Sequence, residues 1–176
     1  GAHAIKHPTD EWQGEVCGQC HKPGSEALAE GERAHKLITE APIDINIQKQ
    51  VNILVSDMGL SLSRIVMYQA TGGLGYGMEY AYSIMERTRL AAMNGDRMLS
   101  MPMLAVVGSE SWKAKEAKTP EEVMPEWGPL AQRGPLWEAM TANCFLHGGT
   151  DLLVMWHPAA VEQTRKSLDR LMAVPA

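Results

Sequence analysis

From residue 35 onward, short apolar runs alternate four times with longer amphipathic ones, and this rhythm leaves the chain few folds to choose from. Residues 35–40, 64–68, 99–107 and 151–156 read as strands, and residues 43–58, 78–94, 135–147 and 158–172 as helices. The first helix carries Ile47, Val51, Leu54, Val55 and Met58 on one face, and Gly59 follows as a stop signal. The second sets Ala81, Ile84, Met85, Thr88, Ala91 and Ala92 on one side, and the last turns Val161, Leu168, Leu171 and Met172 inward. Before the third helix lies a loop over 108–133, rich in charge, Pro and Trp, and Pro135 suits that helix's first turn. The apolar run 99–107, broken by Pro102, suits a parallel strand buried on both faces. Successive strand–helix units imply an α/β fold with a parallel sheet and right-handed crossovers.

The connection after the second strand carries the most chemical information. Residues 68–80 read Tyr-Gln-Ala-Thr-Gly-Gly-Leu-Gly-Tyr-Gly-Met-Glu-Tyr. Glycines at 73, 75 and 77 free the backbone for unusual dihedrals and for close approach to a ligand. The loop opens onto a helix N-terminus, where unpaired N–H groups favour anions and polar acceptors. A tight connection with no ligand accounts for the same glycines. The spacing is Gly-x-Gly-x-Gly, which differs from the Gly-x-Gly-x-x-Gly of dinucleotide sites. In barrels and open parallel sheets, ligands gather at the carboxyl ends of the strands. Asp44 and Asn46 follow the first strand there, the glycine loop the second, residues 109–112 the third and His157 the fourth. Asp44 also suits helix N-capping, and His147 and His157, which bracket the last strand, suit capping roles. Glu79, Glu86, Arg87 and Arg89 read as a solvated ion-pair face. No nucleophile–base pair stands at a telling spacing.

At 176 residues, 45% of them apolar, the chain can build one domain with a real core. Its net charge of −5, with both signs mixed, argues against a nucleic-acid surface. No apolar stretch approaches the roughly 20 residues of a membrane helix, and residues 1–8 lack a signal-peptide core, so the expected location is cytoplasmic. Twelve methionines against one phenylalanine point to a core filled by flexible side chains. An eight-unit barrel takes about 250 residues, so four units make half of one, and the edges of that half need cover.

Residues 1–34 are polar and irregular, with a short helix over 25–34 capped by Ser25 as their one expected element. Cys17-Gly18-Gln19-Cys20-His21 fits the c-type haem attachment pattern, with His21 as iron ligand. Cys17, Cys20 and His21 also suit zinc, with His3 or His7 as fourth ligand, and Cys17 and Cys20 suit an oxidisable dithiol. A chance match is the fourth reading. Cys144 falls on an inward helix face as a buried core thiol, and three cysteines make no disulfide framework.

Five segments together carry a resemblance: 41–50 (APIDINIQKQ), 72–80 (GGLGYGMEY), 84–92 (IMERTRLAA), 95–103 (GDRMLSMPM) and 133–139 (RGPLWEA). Over about residues 36–172 the chain resembles the small (delta) subunit of the corrinoid iron–sulfur protein of the carbon monoxide dehydrogenase/acetyl-CoA synthase system. The resemblance implies a TIM-barrel subunit, with this chain matching the second half of the barrel and residues 1–34 outside the match. It implies a large partner subunit bearing a corrinoid domain and an iron–sulfur cluster. It further implies a methyltransferase that supplies the methyl group from a methyl-pterin, and an acetyl-CoA synthase that receives it. The small subunit's barrel face then helps to hold the corrinoid and makes no bond itself. On that reading Gly73, Gly75, Tyr76 and Gly77 meet amide or phosphate oxygens of the corrinoid, and Asp44 and Asn46 accept from its amides. A second copy of the chain is an alternative partner that would close the half barrel.

Overall fold

The structure, a computed structural model, describes residues 36–173. The expectations for Cys17, Cys20, His21 and the helix over 25–34 fall outside the described residues. Strands β1 (Leu37–Ala41), β2 (Ile65–Gln69), β3 (Met103–Val106) and β4 (Leu152–Val154) form one sheet in chain order, parallel throughout. Helix α1 (Ile45–Asp57) joins β1 to β2, and α2 (Met78–Met93) joins β2 to β3. After β3 come two short helices, α3 (Val107–Ser111) and α4 (Lys115–Lys118), and then the long α5 (Leu130–His147). Helix α6 (Pro158–Met172) follows β4. The α/β alternation expected from the sequence is therefore present.

The core lies on one face of the sheet. Ile65, Met67, Met103 and Ala105 pack there against Val55 of α1, Ala81 and Met85 of α2, and Ala142 and Phe145 of α5. Residues of the opposite parity share the other face, because the register sets Ile38 beside Val66, Tyr68 beside Leu104 and Leu104 beside Leu152. That second face is only partly covered: Ile38 is 53%, Leu152 45% and Val154 40% exposed.

Four expectations are corrected. First, α1 is turned about its axis. It buries Gln48, Asn52 and Val55, whereas Ile47 and Leu54 are exposed. The Asn52 amide and the Gln48 amide nitrogen are bonded to one another, to Thr39 of β1 and to Met98, while Gln48 Oε1 has no hydrogen-bond partner among the described residues. Thr39 Oγ1 and Gln48 Nε2 donate to Asn52 Oδ1 (2.8 and 3.0 Å), and Asn52 Nδ2 donates to the Met98 carbonyl (2.8 Å). Second, the apolar run 99–107 is not one strand. Asp96 caps a 3-10 turn at Arg97–Leu99, β3 spans Met103–Val106, and Val107 already begins α3. Each piece puts a buried apolar side chain into the core (Leu99, Met103, Ala105 and Val107), so hydrophobicity did not mark the boundaries between them. Third, the region before α5 is more than a loop, and α5 starts at Leu130 with Pro135 inside it. Arg133 gathers this region by donating to the carbonyls of Glu116 (2.5 Å), Gly128 (2.7 Å) and Thr119, with its guanidinium over the Trp127 ring. Fourth, Leu171 and Met172 are exposed, and Cys144 is half-buried.

Arg89 also departs from the solvated helix face. Its guanidinium reaches the Gly149 carbonyl (2.5 Å) and Asp151 Oδ2 (2.6 Å), and the same carboxylate oxygen accepts from Met103 N (2.8 Å). This clasp joins α2 to the starts of β3 and β4, at the amino edge of the sheet. Among the described residues, no helix is long and apolar enough to cross a membrane.

Candidate functional site

The site is built at the carboxyl edge, where the loops after β2, β3 and β4 converge on α5. The glycine loop leaves β2 and enters α2 through Gly77, which caps the helix in the left-handed region (φ 86°) without a side-chain bond. Gly75 is also left-handed (φ 72°), a conformation that side chains with a Cβ resist. Gly72 and Gly73 are needed for space. A Cβ on Gly72 would lie 2.6 Å from the Gly77 carbonyl oxygen, and one on Gly73 would lie 2.9 Å from that of Glu110. The loop thus folds onto itself and onto α3. Helix α5 pins its tip: Trp137 Nε1 donates to the Leu74 carbonyl (3.2 Å), and Leu74 N donates to Thr141 Oγ1 (3.4 Å). Because these close approaches are backbone to backbone, Gly72→Ala is expected to cost about 1–3 kcal/mol of stability, read as a lower urea midpoint at unchanged slope.

The other loops are tied to the same helix. Glu138 of α5 is fully buried and accepts from Trp112 Nε1 (2.8 Å), Trp156 N (2.5 Å) and His157 N (3.2 Å). The Trp112 and His157 rings stack at 6.1 Å between centroids. His157 Nδ1 accepts from Ala159 N (3.1 Å) and so caps α6, the capping role its position suggested. His147 Nδ1 lies 2.7 Å from the Asn143 carbonyl oxygen at the end of α5. Lys113 Nζ donates to Glu110 Oε1 (2.7 Å), which holds the ammonium above the ordinary lysine range against slight desolvation. A raised pKa of this sign keeps the pair intact at neutral pH and releases it only as pH climbs past that range.

Gly73, Gly75, Tyr76 and Gly77 are therefore grouped in one loop beside Glu110 and Ser111. Tyr76 is 64% exposed. Asp44 and Asn46 lie one strand away, at the end of β1. Asp44 Oδ1 caps α1 by accepting from Asn46 N (2.7 Å) and Ile47 N (3.4 Å), and neither side chain bonds to the glycine loop. Sequence reading missed Glu138, Trp137 and Thr141 as organisers of the edge. The available signal was a charge on the inward stripe of α5, at helical spacing from Gly134, Thr141 and Phe145. Among the described residues, no cluster of three or more His, Cys, Asp or Glu could hold a metal. The edge offers peptide groups, aromatic faces and the Lys113–Glu110 ion pair.

The chain is thus an α/β protein with a parallel sheet whose loops gather at the carboxyl edge, the edge at which such sheets ordinarily place a ligand. The sequence matches the family described as CO dehydrogenase/acetyl-CoA synthase delta subunit over residues 27–119, more than half of the chain. The chain belongs to that family. It is 43% identical over 138 residues to the acetyl-CoA decarbonylase/synthase complex subunit delta of Methanopyrus kandleri, covering 78% of this chain and 34% of the relative. Identity to subunit delta 2 of Methanosarcina acetivorans is 38% over 131 residues, covering 72% and 30%. Identity to the Archaeoglobus fulgidus subunit delta is 35% over 149 residues, covering 82% and 33%. The chain thus spans about a third of the length of these curated relatives.

Proposed function

We propose that this chain is a scaffold of the acetyl-CoA decarbonylase/synthase system that helps to hold a corrinoid, shared with a large corrinoid/iron–sulfur subunit, during methyl transfer from a methyl-pterin. The observation that carries the reading is the convergence of the glycine loop, α3 and the Trp156–His157 loop on one sheet edge, in a chain of this family. The residues suit such a group. Corrin rims carry amides, which match peptide groups of the loop at Gly73, Gly75 and Gly77. Buried beside that loop, Ser111 Oγ has no hydrogen-bond partner among the described residues. Tyr76 and Trp156 present exposed rings that can pack on an extended ligand. A bound corrinoid would supply the cobalt that carries the methyl group between methyltransferase and acetyl-CoA synthase. This chain's part is to bind, orient and exclude water. Asp44 and Asn46, at the neighbouring strand end, are proposed as further acceptors for corrin amides, and the protein is proposed to act in the cytoplasm. Cobalt analysis and a visible spectrum of the chain, alone and mixed with the corrinoid-loaded large subunit, test the reading. Uptake in either form is expected, and no corrinoid in both would overturn it.

We further propose that the sheet is the second half of a (β/α)8 barrel. Parallel sheets are ordinarily covered on both faces, and the exposed Ile38, Leu152 and Val154 support a missing inner layer. Sedimentation is expected to show the chain self-associating, or capturing a four-unit half supplied in trans. A chain that stays monomeric with both would count against closure. The Cys17, Cys20 and His21 spacing keeps a metal or haem site as a second proposal, for which zinc analysis and a Soret band are the tests.

A further inference from the structure

The unusual group at the carboxyl edge is Glu138. A carboxylate costs free energy to bury, and an apolar side chain would fill the space between α5 and the β4 exit without that cost. Here the charge is taken up by N–H donors from three residues, Trp112, Trp156 and His157. Two of those donors are the consecutive backbone N–H groups by which the chain leaves β4. Only a carboxylate presents acceptors alone in these directions; a glutamine would turn N–H against N–H on one side.

What this fixes is the indole of Trp156. Its backbone is held by the 2.5 Å bond to Glu138 Oε1, and its ring lies over Gly108. A Cβ at residue 108 would sit 2.5 Å from both Cγ and Cδ1 of that ring, so glycine leaves the indole its seat. The ring nevertheless stays 61% exposed. It is two residues past the end of β4, at the level of the loops and not of the strands. A large apolar ring, fixed by a buried charge and left open at the ligand edge, is arranged for contact with something outside the fold.

We infer that Glu138 is a positioning residue that holds Trp156 as a flat shelf on which the corrinoid of the proposed site packs. The inference rests on the corrinoid reading for the identity of the ligand, but the Glu138–Trp156 linkage stands on geometry alone.

Two readouts on the full chain separate the parts. With tryptophan labelled with nitrogen-15, the Trp156 backbone amide and the Trp112 indole N–H are expected to shift together in Glu138→Gln, while those of Trp127 hold still. Unmoved Trp156 and Trp112 signals would overturn the positioning role. Aquocobalamin affinity, by equilibrium dialysis, is expected to fall about tenfold or more in Trp156→Ala and in Glu138→Gln. The double variant should be no weaker than Trp156→Ala, because Glu138 acts through the indole. Additive losses, or an unchanged Trp156→Ala, would overturn the shelf. Should Glu138→Gln fail to fold, Gly108→Ala puts a Cβ 2.5 Å from Cγ and Cδ1 of the same ring, displaces it without touching Glu138 and is expected to give the same loss. A wild-type chain that binds no aquocobalamin, alone or with the large subunit, overturns the corrinoid reading instead, and the amide shifts then decide the linkage by themselves.

Discussion

Replacing Phe145 by alanine is expected to remove about 3–5 kcal/mol of stability, a large share of the roughly 5–15 kcal/mol that holds a domain together. Phe145 is the single phenylalanine of the chain and is fully buried on α5, in a cluster with Met67, Met85 and Met103. Burial of the ring sets the transfer loss, and the hole it leaves sets the remainder. Methionine neighbours are flexible enough to lean into that hole, which places the expected cost toward the lower end of the range. Phe145→Leu keeps most of the volume and should cost less than about 1.5 kcal/mol. Urea midpoints at unchanged slope measure both. A loss below about 1 kcal/mol for the alanine variant would mean that the centre of the core lies elsewhere.

Asn52→Ala is expected to cost nearly as much, through polar groups. Asn52 is fully buried and joins three partners: Thr39 Oγ1, Gln48 Nε2 and the Met98 carbonyl. Truncation leaves the Thr39 hydroxyl without an acceptor for its proton and the part-buried Met98 carbonyl without its donor, at up to about 1–3 kcal/mol for each group. Gln48 keeps its bond to Thr39 Oγ1 (2.9 Å) and is spared. Thr39→Val should cost less in the Asn52→Ala background than on its own, because Asn52 Oδ1 is then no longer there to be left without its donor, while Gln48 Nε2 loses the Thr39 hydroxyl in both cases. Denaturation of the two single variants and the double variant measures this coupling, and strictly additive losses would contradict a shared network.

This network also explains where sequence reading lost its way. The strand–helix rhythm was legible because each apolar run is short, and turn or cap residues such as Asp44, Gly59, Gly77 and Gly95 stand between elements. The face of α1 was not legible, since Gln48 and Asn52 read as surface until their partners on β1 and at Met98 are known. A single apolar run over 99–107 hid a turn, a strand and a helix start, because each contributes buried apolar side chains to the same core and the run is too short for a period to separate them. Pro135 marked a helix start by rule, yet the helix begins at Leu130 and runs through it. At the site, the glycine loop announced itself by backbone needs that only glycine meets. Glu138 did not, since its partners Trp112 and Trp156 lie 26 and 18 residues away.

The clasp of Arg89 and Asp151 has a consequence for engineering. It fastens α2, β3 and β4 together at the amino edge, whereas every loop of the candidate site leaves from the carboxyl edge. Strength and the proposed recognition are therefore housed at opposite ends of the same strands. Substitutions at the two ends share no partners, so their effects should add. A protein laid out in this way can have its recognition loops exchanged for others of similar length while the fastened end keeps the strands in register, which makes it a natural chassis for loop grafting.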